Sequence, residues 1–134
     1  VLNLLGELSR DASLAFLFIT HDLAVVNHIA DRVAVMYLGR VVETAPAPEL
    51  FAHPRHPYTQ ALIDALPRPG RGKRRRGRAL AGEMASAIDP PPGCAFHGRC
   101  PRAAEICQAE RPRLAPSGAA GRHHFAACHF AGAP

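Results

Sequence analysis

The sequence predicts an α/β fold followed by a small, irregular, cysteine-rich extension, and three observations carry that expectation. Helix-period and strand-period apolar patterns alternate from Val1 to Thr44. Thirteen prolines and eleven glycines, concentrated after Ala45, interrupt any single continuing core. The four cysteines, Cys94, Cys100, Cys107 and Cys128, all fall in the closing part of the chain. A length of 134 residues suits one ordinary domain, and 48% hydrophobic with 20% charged residues is a globular composition. A helical pattern already under way at Val1, together with this proline-rich second half, points to the tail of one domain plus an appendage.

Val1, Leu4, Leu5 and Leu8 recur at i, i+3, i+4 and i+7, one face of an amphipathic helix. Residues 9–13 (SRDAS) form a polar turn. Leu14 to Thr20 (LAFLFIT) is wholly apolar up to its last residue and reads as a strand buried on both faces, with Phe16 and Phe18 in the core. Asp22 opens a second helical pattern through Val25, Val26 and Ile29, placing an acid in the first turn. Arg32–Leu38 and Arg40–Thr44 are β-branched runs joined at Gly39, a hairpin pattern that puts Val33 and Val35 in the core. Pro48–Phe51 reads as a short helix and His53–Pro57 as a rigid turn. Tyr58–Leu66 is a helix whose Ala61, Leu62 and Ala65 share a face, and Pro67 stops it. Tyr58 packs that helix, and His28, His53 and His56 read as turn or surface histidines. Asp89–Gly93 stiffens the entry to the cysteine segment, which holds one short helix at about Arg102–Cys107.

Charge is distributed unevenly. Residues 1–67 carry four Arg and seven acidic groups, residues 68–78 carry seven basic groups and no acid, and residues 79–134 carry five basic and four acidic groups. The net charge of +5 therefore belongs to one basic stretch. Like charges in a block repel and stay solvated, so residues 68–79 read as a flexible linker between segments 1–67 and 80–134. A contact with anionic lipid or nucleic acid is the competing reading. No aromatic residue interleaves the run to stack on bases, so no nucleic-acid partner is assigned. No apolar run reaches the roughly 20 residues of a spanning helix. No signal peptide is evident either. Cysteines without an export signal suit a reducing compartment, where metal ligation outranks disulfides.

His21 closes the apolar run, at the end of a sheet strand where ligands of open α/β sheets bind. Two readings of it stand: a surface or helix-capping histidine, or a hydrogen-bond donor to a phosphate oxygen or an attacking water. The surrounding sequence FLFITHDLAVVNHIADRVAVMYLGRVVETAP resembles the end of the nucleotide-binding domain of an ABC transporter. ELFAHPRHPYTQALIDALP is similar to the segment typical of dipeptide/oligopeptide importer ATPases. GEMASAIDPPPGCAFHGRCPRAAEIC, followed later by ACHF, resembles their C-terminal extension.

The resemblance implies that residues 1–67 are the C-terminal part of a P-loop NTPase domain in an ATP-binding subunit. ATP and Mg2+ would bind between two such subunits, on membrane permease subunits at the cytoplasmic face, and hydrolysis would drive peptide import. It implies for His21 the role of switch histidine at the γ-phosphate. The 134 residues contain no G-x-x-x-x-G-K-S/T loop, no L-S-G-G-Q signature and no apolar strand ending in Asp-Glu. In the family these elements precede the position of Val1, so the chain alone is not expected to hydrolyse ATP.

The spacing Cys94-x5-Cys100-x6-Cys107-x20-Cys128 supplies enough thiolates for a tetrahedral zinc or an iron–sulfur cluster. It is neither the C-x2-C pair of zinc ribbons nor the bacterial ferredoxin run, and unpaired or disulfide-bonded cysteines remain open. The resemblance implies a four-iron–four-sulfur (4Fe–4S) cluster on Cys94, Cys100, Cys107 and Cys128, with zinc as the alternative. Gly93 and Gly98 would let the backbone turn close to it, and Arg99 and Arg102 would offset thiolate charge. His97, His123, His124 and His129 flank the cysteines, either as surface residues or as members of a mixed Cys/His zinc site. A metal-binding regulatory or interaction module is thus the second functional reading.

Overall fold

The structure, a computed structural model, describes residues 4, 6, 7, 11, 12, 14–66, 85–117 and 123–132. The helix expected over Val1–Leu8 and the basic linker of residues 68–79 lie wholly or largely outside them. The elements that lie wholly within the described residues run in the order α1 (Leu23–Ile29), β1 (Arg32–Tyr37), β2 (Arg40–Pro46), α2 (Ala47–Ala52), α3 (Pro57–Asp64), the 3-10 turn His97–Arg99, α4 (Glu105–Ala109), β3 (Ala115–Pro116) and β4 (Phe125–Ala126).

The hairpin is the centre of the molecule. Leu38 and Gly39 both take positive φ, 46° and 74°, and form the two-residue connection between the paired Tyr37 and Arg40. Positive φ at both positions matches the right-handed twist of the strands, and glycine accepts it without strain. Alternation along β1 buries Val33, Val35 and Tyr37. A bulge opposite Val35/Met36 inserts one extra residue in β2, so that both Val42 and Glu43 are buried. Glu43 lies opposite Val35, on the core face.

The extension completes this sheet. β4 pairs antiparallel with β2 (Glu43↔Ala126, Thr44↔Phe125) and β3 with β4, giving the order β1-β2-β4-β3. The bulge residue contributes as well, because the Ala127 amide donates to the Val42 carbonyl at 2.8 Å. Phe96, 1% exposed, reaches from the extension into the core and meets Tyr37 edge-on at 5.3 Å and Tyr58 at 5.5 Å between ring centroids. Tyr37 and Tyr58 themselves stand 4.7 Å apart. Burying an aromatic of this size stabilises by about 2–3 kcal/mol, so Phe96 is a main anchor of the extension.

Several expectations are corrected. Residues 14–20 belong to no strand, and Phe16 and Phe18 are 43% and 45% exposed instead of buried. A segment apolar on both faces enters a core only between two covering layers, and the described residues supply none for it. Val25 and Ile29 are half-buried on α1, whose Leu23 and Val26 pack on the core. Along α3 the buried positions are Pro57, Thr59 and Ile63, and of the expected Ala61, Leu62, Ala65 face only Leu62 packs on the core, because the side of the helix that meets the hairpin and Phe96 is set by packing and not by the run of small residues. The short helix expected at Arg102–Cys107 lies at Glu105–Ala109. Val33 and Val35 are core residues as read. No helix among the described residues is long and apolar enough to cross a membrane.

Candidate functional site

His21 stands directly after the 14–20 segment and before α1. The N-cap of α1 is Asp22, whose carboxylate accepts from the amides of Ala24 (2.9 Å) and Val25 (3.3 Å). Capping is therefore the work of Asp22 and not of His21. The Asp22 amide in turn donates to the Thr20 hydroxyl at 3.0 Å, which holds the 20–22 turn in shape. The His21 side chain is exposed.

The four cysteines, scattered over 35 positions of sequence from Cys94 to Cys128, line one small cavity together with His56, Pro57, Phe96, His97, His129 and Phe130. All four are free thiols. Three of the sulfurs accept a backbone N–H from two residues on: Cys94 from Phe96, Cys100 from Arg102 at 3.4 Å and Cys128 from Phe130 at 3.4 Å. Burial pushes the Cys94, Cys100 and Cys128 thiols up, and the neighbouring thiols push in the same direction. The backbone N–H bonds and, at Cys100 and Cys128, the Arg102 guanidinium oppose the rise.

Of the two arginines considered, Arg102 faces the thiols, while Arg99 acts electrostatically on Tyr58. Arg102 also donates to the Phe130 carbonyl at 3.3 Å and lies 5.9 Å from its ring centroid. Gly93, with φ +70°, lies so close to the Cys107 carbonyl that a Cβ would collide with it. Gly98 has open space around it, so nothing there requires glycine. His97 and His129 bond backbone carbonyls, of Cys94 at 2.8 Å and Glu110 at 3.1 Å. His123 is exposed, and its carbonyl accepts from Arg32 at 2.9 Å. Among the described residues no group of three or more His, Cys, Asp or Glu side chains is arranged to hold a metal ion.

Beside the cavity lies a polar cluster that sequence reasoning missed. The Glu43 carboxylate, fully buried, accepts from the amides of Arg55 (2.6 Å) and His56 (2.9 Å) and bonds His124 Nε2 at 2.6 Å. His124 is 1% exposed, and its Nδ1 lies 3.7 Å from Glu49. One carboxylate thus ties β2, the turn before α3 and the residue preceding β4. The available signal was an acid at an inward hairpin position, where an apolar residue is the rule.

His56 is the N-cap of α3: its Nδ1 accepts from the Tyr58 amide at 3.1 Å, a bond that requires an unprotonated nitrogen. Burial pushes its pKa down from 6.5 to about 4, against the pull of Glu43 in the opposite direction. The unfolded chain therefore takes up this proton at a higher pH than the folded chain does. The contribution of neutral His56 to stability is complete above about pH 6.5 and is lost as the pH falls toward about 4. Lowering the pH from about 7.5 to about 5 should cost about 2 kcal/mol through this residue. The check is urea unfolding at both pH values beside His56→Asn, which keeps a capping oxygen; the variant should lose that part of the pH dependence. Equal pH dependence in both proteins would show that His56 is not its source.

The family described as "Oligopeptide/dipeptide transporter, C-terminal region" matches residues 42–107, from the hairpin through the third cysteine. A probable peptide ABC transporter ATP-binding protein of Sinorhizobium fredii is 55% identical over 116 residues, 87% of this chain and 33% of that protein. The oligopeptide transport ATP-binding protein AppF of Bacillus subtilis is 48% identical over 135 residues, 97% of this chain and 39% of that protein. The dipeptide transport ATP-binding protein DppF of Escherichia coli is 51% identical over 114 residues, 85% of this chain and 34% of that protein. The chain spans about a third of the length of these relatives. With that identity sustained along nearly all of it, the chain belongs to the family of peptide ABC transporter ATP-binding proteins.

Proposed function

We propose that this chain is the C-terminal part of an ATP-binding subunit that couples MgATP hydrolysis to peptide import, seated on permease subunits at the cytoplasmic face of the membrane and paired with a second ATP-binding subunit. The observation that carries the reading is the identity, 48–55% in the three relatives above, to proteins named for peptide, oligopeptide and dipeptide transport. His21 then meets the γ-phosphate, where an imidazole donor stabilises charge developing on the phosphoryl oxygens and orients the attacking water. The phosphate loop, signature and magnesium-holding acid come from outside these 134 residues, which contain none of them. The test is a chimaera in which the chain replaces the corresponding third of the Escherichia coli dipeptide transport protein. Assembled with its permease, the chimaera should hydrolyse MgATP and the 134-residue chain alone should not. A folded, assembled chimaera without turnover overturns the reading.

A second reading concerns the thiols. Three N–H···S bonds and the Arg102 cation favour sulfur in its anionic form, whereas mutual repulsion disfavours ionising all the thiols without a cation between them. This donor chemistry fits a soft metal group held by Cys94, Cys100, Cys107 and Cys128. Two groups match four thiolates, a 4Fe–4S cluster, each iron of which takes one, and zinc, which gathers all its ligands on one point. Such a group would cross-link the extension or respond to redox state. Anaerobic purification should yield brown protein with iron and sulfide in near-equal amounts. Stoichiometric zinc would replace the cluster reading, and a colourless, metal-free, folded protein would remove both.

A further inference from the structure

Away from the cysteines, a cavity of about 460 Å³ opens at the turn between α2 and α3. Phe51 lines it from the end of α2, His53 and Arg55 from the turn, and Gln60, Ile63 and Asp64 from α3. The spacing i, i+3, i+4 places the last three on one helix face. The wall is pre-formed, because Gln60 Nε2 donates to the Pro54 carbonyl at 3.0 Å and the Arg55 and His56 amides are held by Glu43.

Two opposite charges border this space and neither is spent on another side chain. Among the described residues the ion pairs are those of His124 with Glu43 and Glu49, so Arg55 and Asp64 pair neither with each other nor with another described side chain. Arg55 Nε is buried with no hydrogen-bond partner, an arrangement that costs free energy until an acceptor arrives. A guanidinium presents a fork that matches a carboxylate, and a carboxylate beside it across a polar cavity matches an ammonium group. The lining is mainly polar, with Phe51 and Ile63 contributing only a little apolar surface, which suits a ligand that is charged at both ends and small between them.

We infer that this cavity binds a small zwitterion with free ammonium and carboxylate ends, an amino acid or short peptide, its carboxylate on Arg55 and its ammonium on Asp64. The site is separate from His21 and from the thiols and does not rest on the ATP-hydrolysing reading. Bound there, the ligand would sit against the turn that Glu43 ties to the extension, and so bear on how the two segments are held.

The experiment titrates dialanine, N-acetyl-dialanine, dialanine amide and glycine, each to about 10 mM, into the isotope-labelled 134-residue chain and follows its amide resonances. Dialanine should shift the amides of residues 53–64 saturably, and masking either end should weaken binding roughly 10-fold. In Asp64→Asn, dialanine and its N-acetyl form should bind alike; in Arg55→Gln, dialanine and its amide should bind alike. Tighter binding of dialanine than glycine assigns a peptide, and the reverse assigns an amino acid. No saturable shift with either dialanine or glycine, or equal binding of all the dialanine forms to the unaltered chain, overturns the inference.

Discussion

Replacing His21 with alanine in the chimaeric subunit is expected to lower ATP turnover by roughly 10²-fold or more while leaving nucleotide affinity nearly unchanged. His21 sits within the turn that the Asp22 amide closes on the Thr20 hydroxyl, directly before a helix capped by Asp22, and its side chain is exposed. A ring placed this way at the γ-phosphate contributes one hydrogen-bond donor. Its effect concentrates in the transition state, where charge on the phosphoryl oxygens is redistributed, and little of it belongs to ground-state binding. The expected signature is thus a fall in kcat with the Kd for MgATP preserved, read by phosphate release and by binding of a fluorescent nucleotide. Turnover like that of the unaltered subunit would remove His21 from the mechanism, and an equal loss of binding would make it a binding residue instead.

Glu43→Ala should be the most damaging single change to the stability of the fold, at roughly 3–5 kcal/mol. It removes the acceptor for two backbone amides and for His124 together, leaving three buried donors without partners. No water replaces the carboxylate easily, because Glu43 and His124 are 0% and 1% exposed. Glu43→Gln retains an acceptor oxygen and should lose about half as much or less. Because β2 also pairs with β4, the alanine variant should release the extension from the hairpin. Urea unfolding measures the loss, and hydrogen exchange at Ala127, whose amide is bonded to Val42, reports the release directly. A stability change below about 1 kcal/mol would mean that the cluster is dispensable.

The legible parts of this molecule are those governed by neighbours in sequence. The β1–β2 hairpin, its turn at Gly39 and the inward Val33 and Val35 follow from alternation and from the residue types that tolerate positive φ. Asp22 as a helix start and proline in the first turn of α2 are equally local. Residues 14–20 show where local reading fails: their pattern demands burial on two faces, but pattern cannot supply the layers that cover them. In α3 the small residues mark a face without saying what covers it: Thr59 and Ile63 are buried and Leu62 packs on the core, a choice made by the surface the helix meets.

Membership of the transporter family was also written in linear motifs, as was the set of four cysteines. Which of their neighbours act on them was not. Arg99 and Arg102 are three positions apart and look equivalent, yet Arg102 alone faces the thiols. Glu43 and His124, 81 positions apart, look like one more surface acid and one more histidine until β4 lies beside β2. Arg55 and Asp64 become the opposed charges of one cavity only when the turn before α3 is closed by Gln60 and Glu43. Patterns of two and three to four residues encode elements, because backbone geometry repeats at those intervals. Pairings across tens of residues depend on which surfaces meet, and that is decided by the packing of Phe96 and β4 against the hairpin.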